Sequence, residues 1–141
     1  MYKSLFSAIA FSLVIMGCAA AEPTPTAETT TEKSSQTLEG PKWKLLSFGL
    51  TRMAVPQKAF IIFKDGRYSG NGGCNSIGGG YSVEGSKITF TEGMSTMMAC
   101  PELDLEQKYL NDLGSVDAYV IDGDTLDLQS QGKSTLHFKR E

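Results

Sequence analysis

The sequence predicts an α+β fold: a small, strongly curved, barrel-like antiparallel β-sheet with one helix packed against it. Three observations lead there. Short apolar segments with strand-like alternation recur about seven or eight times, separated by two-residue turn signals. A single stretch, after Pro101, has helical spacing instead. Between the strand-like segments lies Gly70-Asn71-Gly72-Gly73-Cys74-Asn75-Ser76-Ile77-Gly78-Gly79-Gly80-Tyr81, in which six of twelve residues are glycine. Glycine is used where the backbone takes φ > 0 or passes close to another group. In a strand-rich chain such a run reads as bent, tightly packed backbone. Many short strands around a small core curl into a barrel-like sheet, with the helix over one opening.

Composition bounds the rest. The chain has 141 residues, one domain's worth, and 40% of them are hydrophobic, enough for a core. The formal net charge is -3 and the pI about 5.2, without the basic footprint of a nucleic-acid partner. The N-terminus reads as a targeting segment. Lys3 is followed by an apolar run from Leu5 to Met16, too short to span a bilayer and shaped like a secretory signal. It ends in Gly17-Cys18, which resembles the bacterial lipobox. The resemblance implies a signal peptide over 1–17, cleavage before Cys18 and acylation of its thiol. An ordinary signal peptide cut near Ala19-Ala20-Ala21 would discard Cys18 instead. Two or three acyl chains anchor stably, at about 0.8 kcal/mol per buried CH₂. Residues 18–39 then form a Thr/Ser/Pro/Glu-rich tether that buries too little to fold. Ala19, rather than Asp, follows the cysteine; this resembles the outer-membrane sorting pattern and places the protein on the periplasmic face of that membrane.

The folded domain is expected over 40–141. Trp43–Phe48 is strand-like and carries the only tryptophan, and Gly49–Gln57 is a loop. Ala59–Lys64 is a short apolar run of the kind that forms a buried strand. Asp65-Gly66 is a hairpin signal returning through Arg67–Gly70. The glycine cluster bends the chain, and Gly80–Val83 forms a further strand. Glu84-Gly85 turns it into Lys87–Thr91. Glu92–Pro101 is irregular. The helix takes Pro101 in its first turn, with Glu102, Asp104 and Glu106 at its N-terminal dipole end. Leu105, Tyr109 and Leu113 form its apolar face, and Gly114 stops it. Val116–Ile121, Thr125–Leu128 and Ser134–Lys139 are the closing strands, joined at Asp122-Gly123 and Gln131-Gly132.

Three cysteines are present. With Cys18 acylated, Cys74 and Cys100 remain, and two thiols in an exported protein imply one disulfide. It closes a loop of roughly 25 residues, for which loop entropy gives about 3–4 kcal/mol. Their spacing is far from the C-x-x-C of a redox pair.

The order of several pieces resembles the META domain, the HslJ-like family of bacterial exported proteins. They are Trp43-Lys44-Leu45, Phe63-Lys64-Asp65-Gly66-Arg67, Gly70-Asn71-Gly72-Gly73-Cys74-Asn75, Gly79-Gly80-Tyr81, Ser95-Thr96-Met97-Met98-Ala99-Cys100-Pro101 and Leu126-Asp127-Leu128. The Gly-Cys-Asn and Met-Ala-Cys pieces are the specific ones, which marks Gly70, Asn71, Gly73, Asn75 and Met98 as structural motif residues. The resemblance implies a non-catalytic, stand-alone envelope lipoprotein without a cofactor, tied loosely to stress response, antibiotic tolerance, secretion or virulence. Its expected partners are the membrane, through the lipid, and an unknown envelope or host protein.

Chemistry-bearing residues are few. Gly70–Gly80 lacks the Gly-Lys-Ser/Thr and following helix of a phosphate loop; Asn71 and Asn75 are expected to satisfy local turn backbone. His137 is the only histidine, and Ser134 and Asp127 are not expected to form a triad with it. No zinc-type His/Cys spacing is present. Met94, Met97 and Met98 present thioethers suited to Cu(I), against packing beside the disulfide as the ordinary reading. The acidic helix face of Glu102, Asp104, Glu106 and Asp112 is expected in solvent. An alternative reading makes it a surface for a basic hydrolase such as lysozyme, by analogy with periplasmic lysozyme inhibitors.

Overall fold

The computed structural model describes residues 37–51 and 53–141. The predicted signal peptide, Cys18 and most of the tether lie outside the described residues. The elements in order are β1 (Lys42–Phe48), β2 (Phe60–Lys64), β3 (Arg67–Asn71), β4 (Ser76–Glu84), β5 (Lys87–Phe90), β6 (Met94–Ser95), α1 (Leu103–Gly114), β7 (Ala118–Asp122), β8 (Thr125–Ser130) and β9 (Lys133–Arg140).

All strand pairs are antiparallel, in the order β3-β2-β1-β9-β8-β7-β5-β4-β6. A further pairing of β3 with β4 joins the ends of that series. Eight strands therefore close into a barrel, and β6 hangs on the edge of β4. The barrel-like sheet expected from the sequence is fully closed. Closure depends on the nine-residue β4. Its first half pairs with β3, from Ser76↔Asn71 to Gly80↔Arg67, and its second half with β5, from Tyr81↔Phe90 to Glu84↔Lys87. Gly78 and Gly79 thus lie inside a strand rather than in the bend expected of them, and the strand expected from Gly80 begins at Ser76. The reason is steric: a Cβ on Gly79 would sit 2.6 Å from the ring of Tyr68, whose side chain crosses it from β3.

Alternation sends every second side chain inward. Trp43, Ile61, Phe63, Leu126, Leu136 and Phe138 are fully buried. Their intervening neighbours Lys42, Lys44, Lys64 and Lys139 are exposed. Two turns match the hairpin signal read from the sequence, with positive φ at both central residues: Asp65 and Gly66, and Gln131 and Gly132. The other two shift by one residue. Glu84 pairs with Lys87 and Asp122 with Thr125, so Gly85 and Gly123 are the first central residues.

The two ends of the barrel are covered differently. Helix α1 packs over the end that holds Phe48 and the β3–β4 connection. Its Tyr109 ring meets Phe138 edge-on at 6.2 Å, and its Lys108 Nζ lies 4.9 Å over Phe48. Residues 37–41 cover the other end. Leu38 is 6% exposed and its carbonyl accepts from Trp43 Nε1 at 2.9 Å, while Gly40 N donates to Phe63 O at 3.0 Å. The packed body thus takes in Leu38, which composition had assigned to the tether. The helix is also phased differently from expectation. Its buried residues are Glu106, Tyr109 and Leu113, and Leu105 is only half-buried.

Candidate functional site

The specific sequence pieces converge beneath the first turns of α1. The connection from β3 to β4 begins with an Asx turn, in which Asn71 Oδ1 accepts from Gly73 N at 2.8 Å. Gly72 N then donates to Asn75 O at 2.8 Å. Gly73 has φ +125°, a conformation closed to side chains, and its open face lies against Pro56. On Gly70 a Cβ would run into the main chain of Phe60 on the neighbouring strand. Each motif glycine therefore answers a local steric demand.

Gly72 admits the centre of the site. A Cβ there would lie 2.8 Å from Glu106 Oε2. The Glu106 carboxylate is 1% exposed. Its Oε2 accepts from Cys74 N at 3.0 Å and Asn75 N at 2.6 Å, and its Oε1 accepts from Asn75 Nδ2 at 2.6 Å. Burial pushes the carboxyl's pKa up, but these donors, the Asn75 amide and side chain foremost, together outweigh it and hold the group below the usual 4.5. Asn75, 2% exposed, passes the connection on to the strip after β6. Its Oδ1 accepts from Met98 N at 2.7 Å and Thr96 Oγ1 at 2.9 Å, and its Nδ2 reaches Met98 O at 3.3 Å. The disulfide between Cys74 and Cys100, with Cα atoms 5.9 Å apart, ties the same two segments covalently. Cys74 Sγ also lies 3.4 Å from Met98 O. A disulfide sulfur has no proton to donate, so this is a packing contact.

Two sequence readings change here. Glu106 does not belong to the solvated acidic face: it is the buried acceptor that holds the β3–β4 connection to the helix. Helical phasing carries the signal, since Glu106 lies three residues before Tyr109 and seven before Leu113, on the buried stripe. Asn75 does not satisfy its own turn, as Asn71 does; it reaches over twenty residues along the chain. Met98 acts through its main chain, and its side chain is 59% exposed.

The thioethers do not gather at one point. Met94 lines a cleft with Tyr68, Phe90 and Leu110, whereas Met97 and Met98 line another beside Asn75 and Gln107. Among the described residues no group of three His, Cys, Asp or Glu side chains is placed to hold a metal ion. On the outer wall, Ser134, Asp127 and His137 do come together, because β8–β9 register sets Asp127 opposite His137. The Ser134 hydroxyl donates to Asp127 Oδ1, Gln129 Nε2 donates to Asp127 Oδ2 at 2.9 Å, and His137 Nδ1 is 3.8 Å from Asp127 Oδ1. Aspartate is the middle member. In nucleophile activation the imidazole must stand between hydroxyl and carboxylate, so this cluster orients the serine proton away from the histidine.

Comparison with known proteins agrees with the geometry. A solution structure of a protein from Burkholderia xenovorans has a TM-score of 0.65 at 27% identity, covering 91% of this chain and 97% of its own. A crystal structure of a DUF4847 family protein from Bacteroides vulgatus shares the fold, with a TM-score of 0.58 at 17% identity over 72% of this chain and 93% of its own. No curated protein matches the sequence. The META domain family model matches residues 36–141, which takes in the barrel, the helix and the whole Gly72–Asn75–Glu106–Met98 cluster. The chain belongs to the META domain family.

Proposed function

We propose that this protein is a non-catalytic envelope lipoprotein, acylated at Cys18, whose META domain is a rigid binding or stress-protection module on the periplasmic face of the outer membrane. The observation that carries the reading is how the motif residues are used. Asn71, Asn75, Glu106 and both motif cysteines engage one another or the main chain. Polar side chains committed in this way fix architecture, and recognition is left to the outer surface that they hold in place. The Gly17-Cys18 pair after an apolar run supports the anchor.

Intact mass and fractionation of the expressed full chain test the anchor. Loss of the 1–17 segment, a diacylglycerol adduct and recovery with membranes are expected, and Cys18→Ser abolishes the cleavage and the adduct. An unmodified protein released in soluble form refutes it. For the binding role, the lipidated chain is used as bait in detergent-solubilised envelope beside Asn75→Ala, which breaks the cluster. A partner retained by the native chain and lost by the variant supports the reading; equal capture by both refutes it.

A further inference from the structure

We propose that the outer wall formed by β9, β1, β2 and β3 is a docking surface for an anionic phospholipid bilayer. The charges of the folded domain are segregated. Lys42 and Lys44 on β1, Lys64 on β2, Arg67 on β3 and Lys139 on β9 all point outward by strand alternation. The register draws them together: Lys44 lies opposite Lys139, and Lys64 opposite Arg67. Glu141 pairs with Lys42 at 2.6 Å and Lys44 at 3.4 Å, and Asp65 sits in the adjoining turn. Among the described residues Lys64, Arg67 and Lys139 have no ion-pair partner. Asp104 and Asp112 on α1 and Asp122, Asp124 and Asp127 on the β7–β8 hairpin lie off these four strands, where Glu141 and Asp65 stand against five cations, so a chain of net charge -3 keeps one basic wall.

Apolar groups are interleaved with these cations. Phe60 and Ile62 are half-buried on the same face, with Lys42 Nζ 4.7 Å over the Phe60 ring. Along β1 the outward series continues into Leu46, 44% exposed, and the following loop offers Leu50 at 97% and Met53 at 48%. Cations for phosphate headgroups beside apolar side chains for the acyl boundary are the chemistry of an interfacial surface. A tether reaching a lipid at Cys18 would hold this wall near such a surface at high effective concentration. The inference rests on the lipoprotein reading for that proximity alone, and its test needs no acyl chain.

The full chain carrying Cys18→Ser is mixed with vesicles of phosphatidylcholine alone or with roughly one-third phosphatidylglycerol. The N-terminal segment, with its cationic Lys3, is common to this chain and its substituted forms, so the change in the anionic-to-neutral ratio on substituting the wall is the readout. At low salt the anionic vesicles bind at least about 10-fold more strongly, and the preference falls as salt is raised. Each surface cation contributes roughly 5-fold. Lys64→Glu/Arg67→Glu/Lys139→Glu therefore lowers anionic binding by on the order of 100-fold or down to the neutral-vesicle level. The three glutamines at the same positions serve if the charge reversal impairs folding. A ratio near one for the Cys18→Ser chain, or a ratio unchanged by the substitutions, overturns the proposal. Acylation seen by mass with no anionic preference leaves the anchor standing and removes the wall's role.

Discussion

Replacing Glu106 by Gln keeps the shape of the side chain and removes its charge. The buried carboxylate accepts three hydrogen bonds, two from main-chain N–H groups and one from Asn75 Nδ2. An amide has one acceptor oxygen and one donor nitrogen. If the oxygen takes the two main-chain donors, the amide nitrogen faces Asn75 Nδ2. Asn75 cannot turn over to relieve this, because its Oδ1 already accepts from Met98 N and Thr96 Oγ1. At least one buried donor is left facing another, which costs about 1–3 kcal/mol. The two remaining bonds also lose their charge assistance. The sum is about 2–4 kcal/mol, a large part of the 5–15 typical of a domain, and a melting temperature lower by on the order of 10–20 °C. Circular dichroism with Trp43 fluorescence gives the melting curves. The pH dependence supplies a second reading. Glu106 titrates below 4.5 in the folded state, so its contribution is complete above that value and is lost as pH falls through the lower folded one. Once protonated, Glu106 offers the same donor as the amide, and the gap between native chain and variant must narrow. A shift under about 2 °C at neutral pH, or a gap that stays the same in acid, would refute the account.

Cys74→Ser and Cys100→Ser should each lower stability by about 3 kcal/mol and to a similar extent, since either opens the same loop of sequence separation 26; denaturant titration measures this, and free thiols at both positions in the oxidised native protein would count against it. Gly79→Ala places a methyl 2.6–2.7 Å from Tyr68, whose ring is itself held edge-on against Phe90 at 5.4 Å, and should cost about 1–3 kcal/mol. Gly114→Ala, with nothing within 4 Å of the new methyl, should leave the melting temperature unchanged or raised, and equal melting of the two variants would show that glycine at position 79 is not a packing requirement.

Local rules carried far along this chain. The strands, the hairpin at Asp65-Gly66 and the helix after Pro101 are all set by residues adjacent in sequence, through alternation, turn chemistry and 3.6-residue spacing. Closure of the barrel depends instead on β3 meeting β4 across the glycine connection, and on β9 meeting β1 from the far end of the chain. Neither pairing leaves a periodic trace. Gly78 and Gly79 read as part of the bend for the same reason. Three glycines in succession look like a bend, yet Tyr68 and Thr91 press against this strand and leave no room for side chains. Glu106 was hidden by its type, because an acidic residue in the first turns of a helix has an ordinary explanation in the helix dipole. Its phase against Tyr109 and Leu113 was the better guide.

The disulfide and the polar cluster join the same two segments, and this redundancy bears on what the motif does. Asn75 and Met98 hold the connection and the strip by hydrogen bonds one residue and two residues from the bridged cysteines. The covalent bond mainly limits the unfolded chain. The cluster acts on the native state, where it specifies how the strip and the helix lie against the barrel. Glycines at 70, 72 and 73 are needed for that geometry because strand, carboxylate and proline approach them closely. A motif built in this way constrains each of its members through the others, and none of them has to face a ligand. Sequence identity within it therefore reports the fold. For the binding role proposed above, the surface to test is the walls, where alternation leaves outward positions such as Lys64, Arg67 and Lys139 free to change without disturbing the core.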